Sequence, residues 1–123
     1  MFPHPCGAEL EAAVAAGADP RTVVPDSFVV VRGGLKPHPP TGEVVSGSVG
    51  PDLETAGCAI AHGNMRVTTA GAIRAAGGSI VWEPEITPAG TMNYQHVNVV
   101  EMGPTVFSEP QPNPVPRRQR IDA

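Results

Sequence analysis

The chain has 123 residues and a formal net charge of −4, and 29 of its residues are Gly or Pro, about twice the usual share. Its apolar content is mostly 16 Val and 15 Ala, with three Leu, three Phe, one Trp and one Tyr. That composition excludes a bundle of long helices and favours short Val-rich strands, and the lack of a Lys/Arg surplus disfavours nucleic acid as a general partner.

In chain order, Ala8 to Ala16 join good helix formers to a Leu10/Val14 pair and end at Gly17, which predicts a short helix over 8–16. Ser27 to Arg32 form an apolar, β-branched run closed by Gly33-Gly34, a buried strand with a cation at its end. Residues 33–50 carry Gly or Pro at nearly every other position and read as a long loop, functional or mobile. Pro51-Asp52-Leu53-Glu54 opens a helix expected to run through Ile60 and stop at His62-Gly63. Strands follow at 65–69 and 79–83, separated by one or two helical turns from Ala70 to Ala76. The last strand is expected at 94–101, with His96 and Asn98 on one face and Val97 and Val99 on the other.

The expected organisation is one α+β domain over residues 1–102, then a Pro/Arg-rich tail over 103–123 that is poorly ordered unless a partner holds it. Five acid-over-base charges sit in the first segment, while the tail is slightly basic. Cys6 and Cys58 have neither C-x-x-C nor ligand-spaced histidines, so no metal site and no disulfide framework can be read, and a reducing cytoplasm is the simpler home. No Sec-type signal and no 18-residue apolar span is encoded.

Several residues carry chemistry by type and position. Arg32 offers a planar fork to phosphate or carboxylate where Gly33 lets a ligand approach the backbone, or it is a strand-end arginine reaching solvent. Ser46-Gly47-Ser48 leads toward a helix start, where anions bind. His62 and Arg66 crowd a helix-to-strand corner and, with His96, would suit a metal-free ribonuclease; a helix-capping role for His62 is the blander alternative. Thr68 and Thr69 matter only if they line a cleft, and Glu83-Pro84-Glu85 places two acids after a strand.

The run Val-Val-Val-Arg32-Gly-Gly, the Met65-Arg66-Val67-Thr68-Thr69 strand, Ala70 to Gly78, Val81 to Thr91 and His96-Val97-Asn98-Val99 together resemble the ADP-ribosyltransferase-like fold of small bacterial toxins, in particular effectors of type VI secretion that act in the cytoplasm. The resemblance covers residues 27–101. It implies two small packed sheets with short flanking helices and an NAD-binding cleft between the sheets. By the same resemblance, Arg32, with Gly33 and Ser48, would bind the dinucleotide, Thr68 or Thr69 (or the Ser46-Gly47-Ser48 element) would support the nicotinamide ribose, and Glu85 would stabilise the ribosyl cation, although Pro84 departs from the family's usual form. A cognate immunity or antitoxin protein would be the partner. Two other readings stand beside this enzyme: the ribonuclease using His62, Arg66 and His96, and a non-enzymatic binding module with a Pro-rich docking tail.

Overall fold

The computed structural model describes residues 12, 16–17, 23–35 and 42–120. The helix expected over 8–16 lies outside the described residues except for isolated positions. The remainder is α+β: a six-stranded antiparallel sheet, a separate two-stranded sheet and two short helices. The strands are β1 (Val29–Gly33), β2 (Val44–Gly50), β3 (Asn64–Thr69), β4 (Ser79–Trp82), β5 (Glu85–Ile86), β6 (Met92–Asn93), β7 (His96–Val100) and β8 (Gln111–Pro112). The helices are α1 (Leu53–Cys58) and α2 (Ala70–Ala75). The large sheet runs β4-β7-β2-β1-β3-β8, and β5 pairs with β6.

Strand alternation separates two cores. Val30 on β1, Val49 on β2, Val97 and Val99 on β7, and Ile80 and Trp82 on β4 point to one face, where Ala70 and Ile73 of α2 and Phe107 close over them. Val31 and Met65 point to the other face, against Ala56 and Ile60 of α1 and the segment after it. Trp82 is core, with its indole N–H donated to the Tyr94 carbonyl. The consecutive apolar run of β1 is thus explained by a strand covered on both faces.

Three readings of the sequence are corrected. Residues 44–50 are not loop but β2, a strand between β1 and β7. Its glycines mark close packing rather than turns: a Cβ on Gly50 would lie 2.7 Å from the Ala56 amide nitrogen, and one on Gly47 would lie 3.0 Å from the Val31 carbonyl oxygen. The helix that begins after Asp52 ends at Cys58 with Ala59 as its C-cap, so His62 does not cap it. Residues 103–120 are packed on the domain. Phe107 enters the core, the Ser108 amide donates to the Val67 carbonyl, and β8 pairs with β3.

The helix ends obey local rules. Thr69 caps α2 by accepting from the Ala72 amide, and Gly77, at φ +85°, closes it in a Schellman motif: the Gly77 and Gly78 amides donate to the carbonyls of Arg74 and Ile73. Asp52 caps α1 by accepting from the Thr55 amide. Cys58 is disulfide-bonded, although its sequence neighbourhood announced no disulfide. Among the described residues, no helix is long and apolar enough to cross a membrane.

Two outcomes follow from these contacts. Asn113, buried in the supposed tail, sets its Nδ2 3.0 Å from the Gly57 carbonyl oxygen and 3.3 Å from that of Ile60, while its Oδ1 accepts from the Val115 amide. Asn113→Ala removes all of these buried contacts and should cost about 2 kcal/mol, read as a lower denaturant midpoint at unchanged slope. The Thr55 hydrogen bond holds the Asp52 carboxyl below its ordinary pKa, so this stabilisation is complete above the ordinary aspartate range and is lost as pH falls through the depressed value. Asp52→Ala should therefore remove about 1 kcal/mol at neutral pH and flatten the acid arm of the stability curve, measured by chemical denaturation at several pH values.

Candidate functional site

On the α1 face of the sheet, the chain leaves a cleft of about 420 Å³, within the size range of small-ligand sites. Its floor is formed by β1, β2 and β7, which are neighbours in the sheet, with Gly33, Ser46 and His96 facing upward. One wall is the Ala59–His62 segment that leaves α1, and the opposite wall is the β5–β6 hairpin with Glu85, Ile86, Thr87, Pro88 and Asn93.

Each wall has an identifiable anchor. Ser48 Oγ donates to the Ala56 carbonyl, and Gln95 Nε2 donates to the carbonyls of Val49 and Thr55, so α1 is tied to β2 by buried polar contacts. The 57–63 segment is then held by Asn113, whose Nδ2 also lies 3.3 Å from the His62 carbonyl oxygen and whose amide donates to Gly63. Arg120 Nη1 adds a bond to the Ala61 carbonyl. The hairpin is closed by the Thr87 amide donating to Thr91 and by the hydroxyl pair of the same two threonines. Its Asn93 accepts from the Gln95 amide and so orients the entry into β7.

Glu85 and His96 meet across the hairpin edge. His96 is 7% exposed, its Nδ1 lies 2.8 Å from the Glu83 carbonyl oxygen, and its Nε2 lies 3.6 Å from Glu85 Oε1. The Glu83 carboxylate is engaged elsewhere, accepting from Asn98 Nδ2. His62 stands on the far wall against Gly33, where any Cβ would overlap the imidazole. Glycine at position 33 therefore lets the His62 imidazole lie directly against the strand, and it offers bare backbone to a ligand.

The sequence-selected residues fall into two groups. Gly33, His62, Glu85 and His96 line one cleft, together with Ser46. Arg32 contributes to the floor, but alternation on β1 directs its side chain to the opposite face, since Val31 and Gly33 face the cleft side. There burial and the charge of Arg66 lower its pKa, and Glu101 opposes that shift. Ser48 is buried beneath α1, Thr69 is the α2 cap, and Thr68 is buried on the same side of β3 as Arg66. Arg66 is 9% exposed and donates to the Leu35 and Ser108 carbonyls. None of Ser48, Thr68, Thr69 or Arg66 lines the cleft. Sequence reasoning missed the hairpin residues Thr87 and Asn93 and the 59–61 wall. The Glu85-to-Asn93 pairing could have been suspected from Pro88-Ala89-Gly90 between two short polar-apolar runs.

Among the described residues, no group of three His, Cys, Asp or Glu is placed to hold a metal. The cleft presents one ionisable carboxylate, two imidazoles and the hydroxyls of Ser46 and Thr87 above an open backbone floor, a set suited to charge stabilisation and proton transfer on a small polar ligand. Gly33→Ala should displace the exposed His62 ring from the cleft while changing stability by less than about 1 kcal/mol; the shift of the His62 ring signals by NMR, beside an unchanged thermal midpoint, checks this. No protein-family model, no curated protein and no solved structure matches the chain.

Proposed function

We propose that the cleft binds NAD and cleaves its nicotinamide–ribose bond, with Glu85 as the carboxylate that stabilises the ribosyl cation. The observation that carries this reading is the position of Glu85: an exposed acid on the hairpin wall, set against a buried histidine, in one cleft with the hydroxyl of Ser46 and the bare backbone of Gly33. The likeness of residues 27–101 to ADP-ribosyltransferase-like toxins lends it the choice of substrate. In the reaction, the bond from C1′ to the nicotinamide nitrogen breaks and its electron pair neutralises the pyridinium ring. An oxygen of water, or of an acceptor molecule, then bonds to C1′ and gives its proton to solvent. A negative charge beside C1′ lowers the barrier because positive charge develops there as the bond lengthens.

The assignment of parts differs from that implied by the family likeness alone. Of the two candidates for the hydroxyl beside the ribose, Ser46 is kept and Thr68 and Thr69 are set aside, and the phosphate contact passes from the Arg32 side chain to the backbone of the floor. A toxin of this kind needs a neutralising partner in the producing cell, and a protein seated on the two walls would block access. Trp82, being core, is not among its anchors.

One observation favours a second reading. His62 and His96 line the same cleft, and two imidazoles can serve as base and acid in metal-free cleavage of RNA. The acidic chain and the withdrawal of Arg66 to the other face weigh against it. Nicotinamide released from NAD by the purified protein, quantified by chromatography, separates the two. Glu85→Gln should reduce that release by about 100-fold or more with the fold intact, because Glu85 is a surface residue. RNA cleavage in the absence of nicotinamide release would instead select the histidine pair.

A further inference from the structure

We infer that His96 is the positioning residue for the Glu85 carboxylate, and that it performs this task only as an imidazolium. The kinetic consequence rests on the reading of Glu85 given above; the structural part does not. A carbonyl oxygen can only accept a hydrogen bond, so the 2.8 Å contact with Glu83 O fixes the proton on His96 Nδ1 in both charge states. The other nitrogen, Nε2, faces Glu85 Oε1 at 3.6 Å. When the ring is neutral, Nε2 carries a lone pair and repels the carboxylate; when the ring is protonated, Nε2–H attracts it. The same backbone contact that orients the ring therefore makes the Glu85 interaction conditional on charge.

The surroundings leave Glu85 as the main charged partner of Nε2. Just after β4, Glu83 offers its carbonyl to Nδ1, and its carboxylate is bonded to Asn98. From β2, the residue paired with His96 is Ser48, whose hydroxyl is spent on Ala56. Across the cleft stands His62, and from β1 the Arg32 side chain lies on the reverse face of the sheet. The hairpin contributes Glu85 alone as an ionisable group, since Thr87, Pro88 and Asn93 do not titrate. His96 itself is nearly buried, whereas the Glu85 side chain is 56% exposed, so the histidine is the fixed member of the pair and the carboxylate the movable one.

The experiment has two arms on the full chain. In the first, the His96 Nε2 signal is recorded by NMR in the wild type and in Glu85→Gln, a surface change that preserves the fold. Loss of the carboxylate 3.6 Å away should shift that signal; an unmoved signal overturns the inference whatever the enzyme's activity. In the second, nicotinamide release is followed from about pH 5 to pH 8, the span in which histidine side chains change charge. The wild-type kcat should fall as pH rises while KM for NAD changes little. His96→Gln, which can present a neutral N–H toward Glu85, should retain activity with a flattened profile, and His96→Ala should lose about tenfold in kcat. A wild-type profile that rises with pH, or an equal loss in His96→Gln and His96→Ala with both folded, overturns the inference. Absence of nicotinamide release from every variant, beside a shifted Nε2 signal in the first arm, refutes the NAD reading and leaves the pairing of His96 with Glu85 supported.

Discussion

The position of α1 depends on a contact that only glycine permits. A Cβ at Gly50 would lie 2.7 Å from the Ala56 amide nitrogen and 2.9 Å from Thr55 Cβ, so any larger residue would push the helix off the end of β2. With glycine there, the helix comes close enough for Ser48 to bond Ala56 and for the buried Gln95 to bond both Val49 and Thr55. These bonds satisfy backbone carbonyls that would otherwise be costly to bury. The chain leaving the helix is thereby aimed along the sheet, where Ala59–His62 becomes a wall of the cleft. The six-residue helix is far below the length at which a helix is stable alone, and tertiary contacts supply what its length cannot.

The two faces of the sheet divide the ionisable residues of the middle of the chain. Arg32, Arg66 and Glu101 lie on the α2 face, two of them buried, and their charges act on one another. Arg66 and Glu101 are also tied to the backbone, at Leu35, Ser108 and Val106. His62, Glu85 and His96 lie on the α1 face around a cleft. Period-two alternation alone produces this division: Arg32 and Gly33 are adjacent in sequence and face opposite ways. A side chain next to a candidate ligand-binding glycine is, on a strand, the one directed away from it.

Much of the fold was legible because it rests on local signals. β1, β3, β4 and β7 follow from Val-rich runs bounded by Gly and Pro, α2 from Ala-rich helix formers ending in Gly77-Gly78, and the start of α1 from Pro51-Asp52. β2 was not legible, because the glycines that suit a strand to close neighbours are the same residues that suit a turn; Val45, Gly47 and Val49 do alternate with Ser46 and Ser48, but Gly obscures the alternation. Prolines concealed the order of residues 104–116 in the same way. Pro112 tolerates its place in β8 because that strand lies at the sheet edge. In the site, Glu85, His62 and His96 were identifiable by chemical type, and strand parity set His96 and Asn98 apart from Val97 and Val99. Their meeting was not, since it is created by a hairpin of two-residue strands and by Asn113, some fifty residues beyond the wall it supports.

That last dependence bears on the order in which the molecule can be assembled. The chain is made from its N-terminus, and β2 must wait for β7 to complete its second edge, a pairing of distant segments of the kind that slows folding. The wall that carries His62 is fastened later still, by Asn113 and Arg120. A nascent chain that has already emerged through α1, β3 and the hairpin therefore holds every ionisable group of the cleft except His96 without holding the cleft. The cleft is complete only once the segment through Arg120 has been made, and a ribosome-bound fragment lacks its fastened wall until then.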